Sequence, residues 1–151
     1  MQPFLSTIYC DDVRQEVGGK LSLIGVYNGV MYVQQFPVTL PKLWVVAIFV
    51  TSKDEPPKSL KLRVFKDNEP FADLDATPEH LQQLANAREP VVPLPEGSRR
   101  VISTQTQVCF APLILDAPCV LRVTAITETG ETRGLSLQVQ ELSASPSRPA
   151  L

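Results

Sequence analysis

The sequence predicts an all-β fold, a single-domain antiparallel β-sandwich of immunoglobulin-like or C2-like shape with one short helix. Apolar and polar residues alternate with period two in several stretches, as at Leu60, Leu62 and Val64, which is typical of half-buried strands. Turn-forming residues separate these stretches, and 151 residues of 44% hydrophobic composition suffice for one core. A partly closed barrel is the alternative, because the sequence does not define the strand order.

Seven strands are predicted, near residues 4–10, 20–33, 43–51, 59–66, 100–115, 118–127 and 133–141. The turn "VGGK" precedes the second strand, "ETGET" separates the last two strands, and "KDNEP" ends the fourth strand. Gly25 and Gly29 indicate a bulge or bend in the long second strand. The aromatic residues Phe36, Trp44, Phe49 and Phe65 lie in apolar or alternating runs and are expected in the core.

One helix is predicted at residues 80–87. Thr77 is its expected N-cap, Pro78 its first residue, and Leu81 and Leu84 should face the sheet. The next segment, "REPVVPLPEGSRR", is expected to be an extended loop. We therefore predict a β-sandwich domain at residues 4–142 and a flexible C-terminal tail at residues 143–151.

Charge and hydropathy narrow the class of protein. With 14 Lys+Arg against 16 Asp+Glu, the net charge of −2 does not favour a nucleic-acid partner. No run approaches the roughly 18 apolar residues of a membrane helix, so no membrane association is expected. The N-terminus "MQPFLSTIYCDD" lacks the basic start of a signal peptide, which predicts a cytoplasmic or virion protein that is not secreted.

The residues that usually carry catalysis or bind metals are sparse. Cys10, Cys109 and Cys119 form no C-x-x-C pair and are expected to be reduced and buried, with Cys109 and Cys119 shielded by apolar neighbours. His80 is the single histidine, so the common His-based zinc sites cannot form. We expect no enzyme, no catalytic residues, no cofactor and no metal site.

Scattered carboxylates leave calcium binding open as an alternative, because loops at one end of a C2-like sandwich can converge on the ion. The pair Asp11-Asp12 is interpreted as the start of a polar connection after the first strand. The candidate ligands are Asp11, Asp12, Asp54, Glu55, Asp67, Glu69, Asp73 and Asp75.

The proline-rich loop is the predicted partner-binding site. Val91, Val92 and Leu94 are apolar but lie among prolines that cannot join a central sheet ladder. They either pack on their own domain or stay exposed for a partner, in which case Arg99 and Arg100 would supply charged contacts at the rim.

The blocks "CDDVRQEVGGKLSLIGVYNGV" and "FPVTLPKLWVVAIF" resemble a family of uncharacterised small proteins of bacteria and their tailed phages, known by a domain-of-unknown-function label. The similarity lies mainly in residues 4–65. It implies a bacterial or phage origin and brings no catalytic residues. The expected function is a non-enzymatic protein-interaction or structural module with a protein partner or a homo-oligomeric state, including an accessory or virion protein of a phage or prophage. The alternative is a sandwich that binds calcium or a small ligand with its end loops.

Overall fold

The computed structural model describes residues 1–86 and 92–143 and confirms the all-β fold with one helix. A four-stranded sheet and a five-stranded sheet supply most of one core, and a two-stranded sheet adds Leu113 and Leu115 to it. The strands are β1 (Phe4–Gln15), β2 (Leu21–Val26), β3 (Val30–Val33), β4 (Val38–Leu40), β5 (Leu43–Ser52), β6 (Lys61–Lys66), β7 (Glu69–Asp75), β8 (Val101–Phe110), β9 (Leu113–Leu115), β10 (Cys119–Thr127) and β11 (Gly130–Glu141), and the helix is α1 (Pro78–Ala85).

The strand order is β2-β1-β5-β8 in the four-stranded sheet, β3-β11-β10-β6-β7 in the five-stranded sheet and β4-β9 in the small sheet. The prediction of purely antiparallel sheets is wrong at one place, because β3 runs parallel to β11. Gly25 and Gly29 have φ values of 68° and 80°, a region that glycine enters without a steric penalty. The chain turns there and passes from the four-stranded sheet to the five-stranded one, so residues 20–33 form two strands rather than one.

The core lies between the two large sheets and follows the predicted alternation. Leu62 and Val64 of β6 and Leu121 of β10 are 1–2% exposed, and they belong to the same cluster as Val45 and Phe49 of β5. The side chain of Tyr9 crosses the core, and its hydroxyl donates to the carbonyl oxygens of Leu121 (3.2 Å) and Leu135 (2.9 Å). Burial raises the pKa of Tyr9, which keeps the hydroxyl protonated as a donor.

The first strand is longer than predicted. β1 continues to Gln15 because residues from Cys10 onward pair with β2, in register from Cys10 opposite Val26 to Gln15 opposite Leu21. The turn at Gly18-Gly19 closes this hairpin. Asp11 and Asp12 therefore lie inside a strand, and their interpretation as the start of a polar connection is wrong, since ladder hydrogen bonds satisfy the backbone whatever the polarity of the side chains.

Two further strands were not predicted. β7 pairs with β6 across a turn in which Asp67 has φ of 56°, and it forms an edge of its sheet, where Pro70 and three acidic residues are tolerated. β4 is only three residues long. The predicted strand 100–115 is two strands, because Pro112 fixes φ and lacks an N–H.

The predicted helix is confirmed with small changes in its bounds. Thr77 is the N-cap, with its side-chain oxygen accepting from the His80 N–H at 3.2 Å, and Pro78 is the first residue. Leu81 is buried and Leu84 half-buried. The helix ends at Ala85; Ala87, the predicted last residue, and the tail 144–151 lie outside the described residues.

Candidate functional site

The outer side of the four-stranded sheet is apolar along its central strand. In β5, Val45, Ala47 and Phe49 face the core, so the residues between them face outward. These outward residues are Trp44, Val46, Ile48 and Val50. A strand that is apolar on both faces is typical of one covered on both sides. The prediction that Trp44 lies in the core is therefore wrong in position, because the ring is half-buried on the opposite side of the sheet.

The neighbouring strands extend this apolar surface, because directly opposed residues share one side of a sheet. Ile8 lies opposite Val46, and Cys10 lies opposite both Trp44 and Val26. We call the whole set the apolar face. It comprises Phe4, Ser6, Ile8 and Cys10 of β1, Ile24 and Val26 of β2, Trp44, Val46, Ile48 and Val50 of β5, and Val101, Ser103, Gln105, Gln107 and Cys109 of β8.

Much of the apolar face is open to solvent. Phe4 is 60% exposed, Val26 57%, Val101 46% and Ile24 41%. Nearer the middle, the side chains of Trp44, Ile8, Ile48 and Val50 are half-buried, and those of Val46 and Cys10 between them are buried. The apolar face thus presents bulky apolar side chains at its edges and in its middle.

No residue of the apolar face carries a charge. The first charges on this side are Asp12 and Arg14, which follow Cys10 on β1. The ammonium of Lys42 lies 2.7 Å from the Asp12 carboxylate, and its hydrogen bond lowers the pKa of that carboxyl. A charged end thus borders an uncharged surface.

The outer side of the five-stranded sheet is built in the opposite way and serves as an internal comparison. Arg63 of β6 donates two hydrogen bonds to Asp73 of β7, at 2.7 and 2.9 Å, and Lys61 lies 3.8 Å from both Asp73 and Asp75. The Arg63 guanidinium holds the pKa of Asp73 below its usual range. The guanidinium of Arg122 stacks 5.0 Å from the ring centroid of Phe65. These ion pairs are typical of a solvated sheet surface.

The carboxylates considered for calcium have other partners or stand apart. Asp12, Asp73 and Asp75 form the ion pairs described above. Asp67 accepts a hydrogen bond from the Val120 N–H at 3.0 Å, and Asp11 accepts one from the Tyr27 hydroxyl at 2.5 Å. Within residues 1–86 and 92–143, no three Asp, Glu, His or Cys side chains come close enough together to hold a metal ion.

The three cysteines are free thiols in different environments. Cys10 and Cys119 are buried, and burial raises the pKa of both thiols. Cys109 is only half-buried, so the expectation that it is shielded like Cys119 needs correction. The reason is its place in β8, an edge strand, on the apolar face opposite Trp44.

We expect iodoacetamide to alkylate Cys109 in dilute folded protein well before Cys10 and Cys119, since the reagent reaches the half-buried thiol more easily and burial raises the pKa of the other two. Peptide mass spectrometry after timed alkylation at neutral pH measures this order. Labelling of Cys119 as fast as that of Cys109 would contradict the burial described here.

The predicted partner-binding loop is exposed where it is described. Val91 lies outside the described residues, and Val92 and Leu94 are 74% and 47% exposed. Arg99 and Arg100 are exposed and line a surface depression of about 490 Å³ with Ser52 and Asp54. The loop enters β8 at Val101, so Arg99 and Arg100 lie next to one end of the apolar face.

A wider cleft of about 920 Å³ opens between α1, the β5–β6 connection and the β10–β11 turn. Its floor includes the buried side chains of Phe49 and Leu81, and Glu55, Lys58 and Gln82 are among its polar residues. Glu128 stabilises one wall, because its carboxylate accepts from the backbone N–H groups of Lys58 (2.9 Å) and Ser59 (3.1 Å). These hydrogen bonds lower the pKa of Glu128.

The apolar face is not among the sites predicted from the sequence. The usable signal was "LWVVAIFV", which lacks the alternation of the other strands, together with the uncharged stretch "VISTQTQVCF". A run such as "LWVVAIFV" is also expected of a core strand that is covered on both of its faces. Only the pairing of β1, β5 and β8 shows that its outward residues form one surface.

The fold and this surface define the protein as a single-domain β-sandwich in which one outer side carries ion pairs and the other is apolar up to a charged end. The chain belongs to the family described as Family of unknown function (DUF6941), which matches residues 5–140. The match extends well past the residues 4–65 on which the resemblance was based. No curated protein and no solved structure matches the chain. In the described part of the chain, no helix is long and apolar enough to cross a membrane.

Proposed function

We propose that this protein is a non-enzymatic protein-interaction or structural module whose binding surface is the apolar face. The observation that carries the proposal is a set of bulky apolar residues on one outer sheet side, with charged residues only at one end of it. Exposed apolar surface is unfavourable in water, and the centres of protein interfaces are depleted in charged residues. A role as an accessory or virion protein of a phage or prophage is part of the proposal and rests on the resemblance of residues 4–65.

The contrast between the two outer sides supports this function. If both outer sides were exposed to water alone, charged side chains would be expected on both sheets. They are present on the five-stranded sheet, where Arg63 and Lys61 form ion pairs with Asp73. The apolar face instead keeps Trp44, Ile48 and Phe4, residue types that contribute strongly to binding when a partner covers them.

The test replaces one residue in the middle of the apolar face. Ile48→Lys places a charge where a partner would exclude water, and Ile114→Lys makes the same change at a 59% exposed position of β9, which belongs to the two-stranded sheet and not to the apolar face. We expect affinity-purified wild-type protein and Ile114→Lys to recover the same assembly from cells of the source organism, in native mass spectra, and Ile48→Lys to lose it. An assembly retained by all three proteins would overturn the proposed surface, and a wild-type protein that recovers no assembly would overturn the function.

The proline-rich loop is proposed as the rim of the same surface. Val92 and Leu94 are exposed, so replacing both with Ser should change the melting temperature little and weaken partner recovery. Differential scanning fluorimetry and the same affinity purification measure the two effects. A large drop in melting temperature with full partner recovery would show that the loop only supports the fold.

Binding of a small ligand is the second candidate, and the cleft between α1 and the β10–β11 turn favours it. Its volume of about 920 Å³ and its apolar floor suit an organic ligand. Native mass spectra of protein from its source would then show an added mass of small-molecule size. The variant Ala85→Trp, which fills the cleft from α1, would remove that mass.

Calcium is not expected to stabilise the protein, because the candidate carboxylates do not converge in the described residues. A calcium concentration of 100 times the dissociation constant of a site would raise the free energy of unfolding by about 2.7 kcal/mol. For a domain of this size, that is a rise of several degrees in melting temperature. Melting curves with excess calcium and with chelator should coincide. A separation of several degrees would establish a calcium site.

A further inference from the structure

We propose that the apolar face binds a second copy of this chain, giving a two-fold symmetric dimer in which the two apolar faces pack against each other. This inference rests on the proposed function and names its partner. The structure supplies three supporting observations, which are the area of the surface, its lack of charge and the direction in which the two sheets can pack.

The area is that of a weak, reversible dimer. The strands β1, β5 and β8 run side by side along Trp44 to Ser52, and with about 4.8 Å between strands and about 3.3 Å per residue they give roughly 430 Å², which Ile24 and Val26 of β2 extend to roughly 500 Å² at one end. Two copies would bury roughly 1,000 Å², which is the size of weak, transient protein interfaces. A short peptide would leave much of such a broad, flat surface uncovered.

The charge distribution permits self-association. In a two-fold interface the same surface patch of both copies is in contact, so a patch with a net charge would lie against a patch of the same charge. The apolar face has no charged residue, and the whole chain carries a net charge of only −2. Asp12 lies opposite Ile24, so its charge and those of Arg14 and Lys42, which pair with it, lie along one end of the apolar face. Electrostatic repulsion between two copies is therefore small.

The geometry is that of ordinary sheet packing. Twisted sheets stack with their strands within about 30° of one another and about 10 Å apart, which lets side chains of the two faces interdigitate. The half-buried Trp44, Ile8 and Ile48 stand between the smaller Cys10, Val46, Val50 and Ser6. This alternation of large and small side chains provides both projections and recesses for a second copy.

The test uses purified full-length protein alone. Sedimentation equilibrium from about 1 to 200 μM, a range that brackets weak interfaces, should show a reversible dimer for the wild-type protein and for Ile114→Lys. Ile48→Lys places two unpaired ammonium groups in the interface and should raise the dimer dissociation constant about 100-fold or more, with an unchanged far-ultraviolet circular dichroism spectrum.

Two residues of the apolar face report on its burial independently of mass. Trp44 is the single tryptophan, so its emission should move to longer wavelength as the wild-type protein is diluted and should not depend on concentration in Ile48→Lys. Alkylation of Cys109 should be slower in concentrated than in dilute wild-type protein, and equally fast at both concentrations in Ile48→Lys.

Three outcomes would overturn the dimer. A wild-type protein that is monomeric at 200 μM would do so, and the recovery experiment from cells would still decide the proposed function. A dimer that persists in Ile48→Lys with fast Cys109 alkylation would place the contact elsewhere, such as at the edge strand β7 of the five-stranded sheet. A truncated chain, residues 1–143, that dimerises when the full chain does not would show that the C-terminal tail occupies the apolar face.

Discussion

Replacing Phe49 with Ala is expected to lower the free energy of unfolding by about 3–5 kcal/mol. Phe49 is 2% exposed, and it is the largest of the fully buried side chains of the described core. It lies between Leu5 and Thr104 on the inner side of the four-stranded sheet. Its removal takes apolar surface out of the core and leaves a void that the two sheets cannot close.

Urea unfolding of Phe49→Ala and of a control variant measures this loss. Leu135→Ala removes an apolar side chain that is 73% exposed, so its free energy of unfolding should change by less than about 0.5 kcal/mol. For a domain of this size, the larger loss corresponds to a fall in melting temperature of roughly 10 °C or more. Equal losses in the two variants would contradict the packing described for β5.

The second large effect is expected at Gly134 of β11, where the two sheets approach each other closely. A Cβ atom at this position would overlap the hydroxyl of Thr7 and would lie 3.2 Å from its Cβ and 3.3 Å from Leu5 Cδ2. Thr7 is buried and β-branched, and two of its three staggered rotamers put a heavy atom in the same place. Gly134→Ala should therefore destabilise the protein by about 1–3 kcal/mol.

A double-mutant cycle with Thr7→Ala isolates this overlap. The Thr7 hydroxyl is buried and has no hydrogen-bond partner among the described residues, so Thr7→Ala alone should change stability little. In the Thr7→Ala background, Gly134→Ala should lose most of its destabilising effect, a coupling of about 1 kcal/mol or more. Additive losses would show that Gly134 is required for a reason other than its distance from Thr7.

Much of the fold follows from local rules. The cap at Thr77 with Pro78 defines the helix start, and the alternation in "LKLRVF" and "LRVTAIT" marks β6 and β10 with their buried sides. In each case the signal lies within a few consecutive residues. The fold class, the helix and most strands were predictable for that reason.

The remaining differences depend on pairing between distant residues. The extent of β1 is determined by β2, which pairs with β1 from Cys10 to Gln15. β7 is acidic and contains Pro70, and it forms only because β6 pairs with it across a tight turn. The apolar face is of the same kind, since it joins strands that are up to about 100 residues apart in sequence.

The unequal outer sides of the sandwich also determine how far an assembly can grow. A molecule that can bind further copies on both of its outer sides forms open-ended stacks or filaments. Here the ion pairs around Arg63 and Asp73 keep the outer side of the five-stranded sheet solvated, so of the two outer sheet sides that the structure describes, the apolar face is the one suited to packing against a second copy. If two copies pack through the apolar face, each has used that side, and we expect the stoichiometry to remain two as the concentration rises.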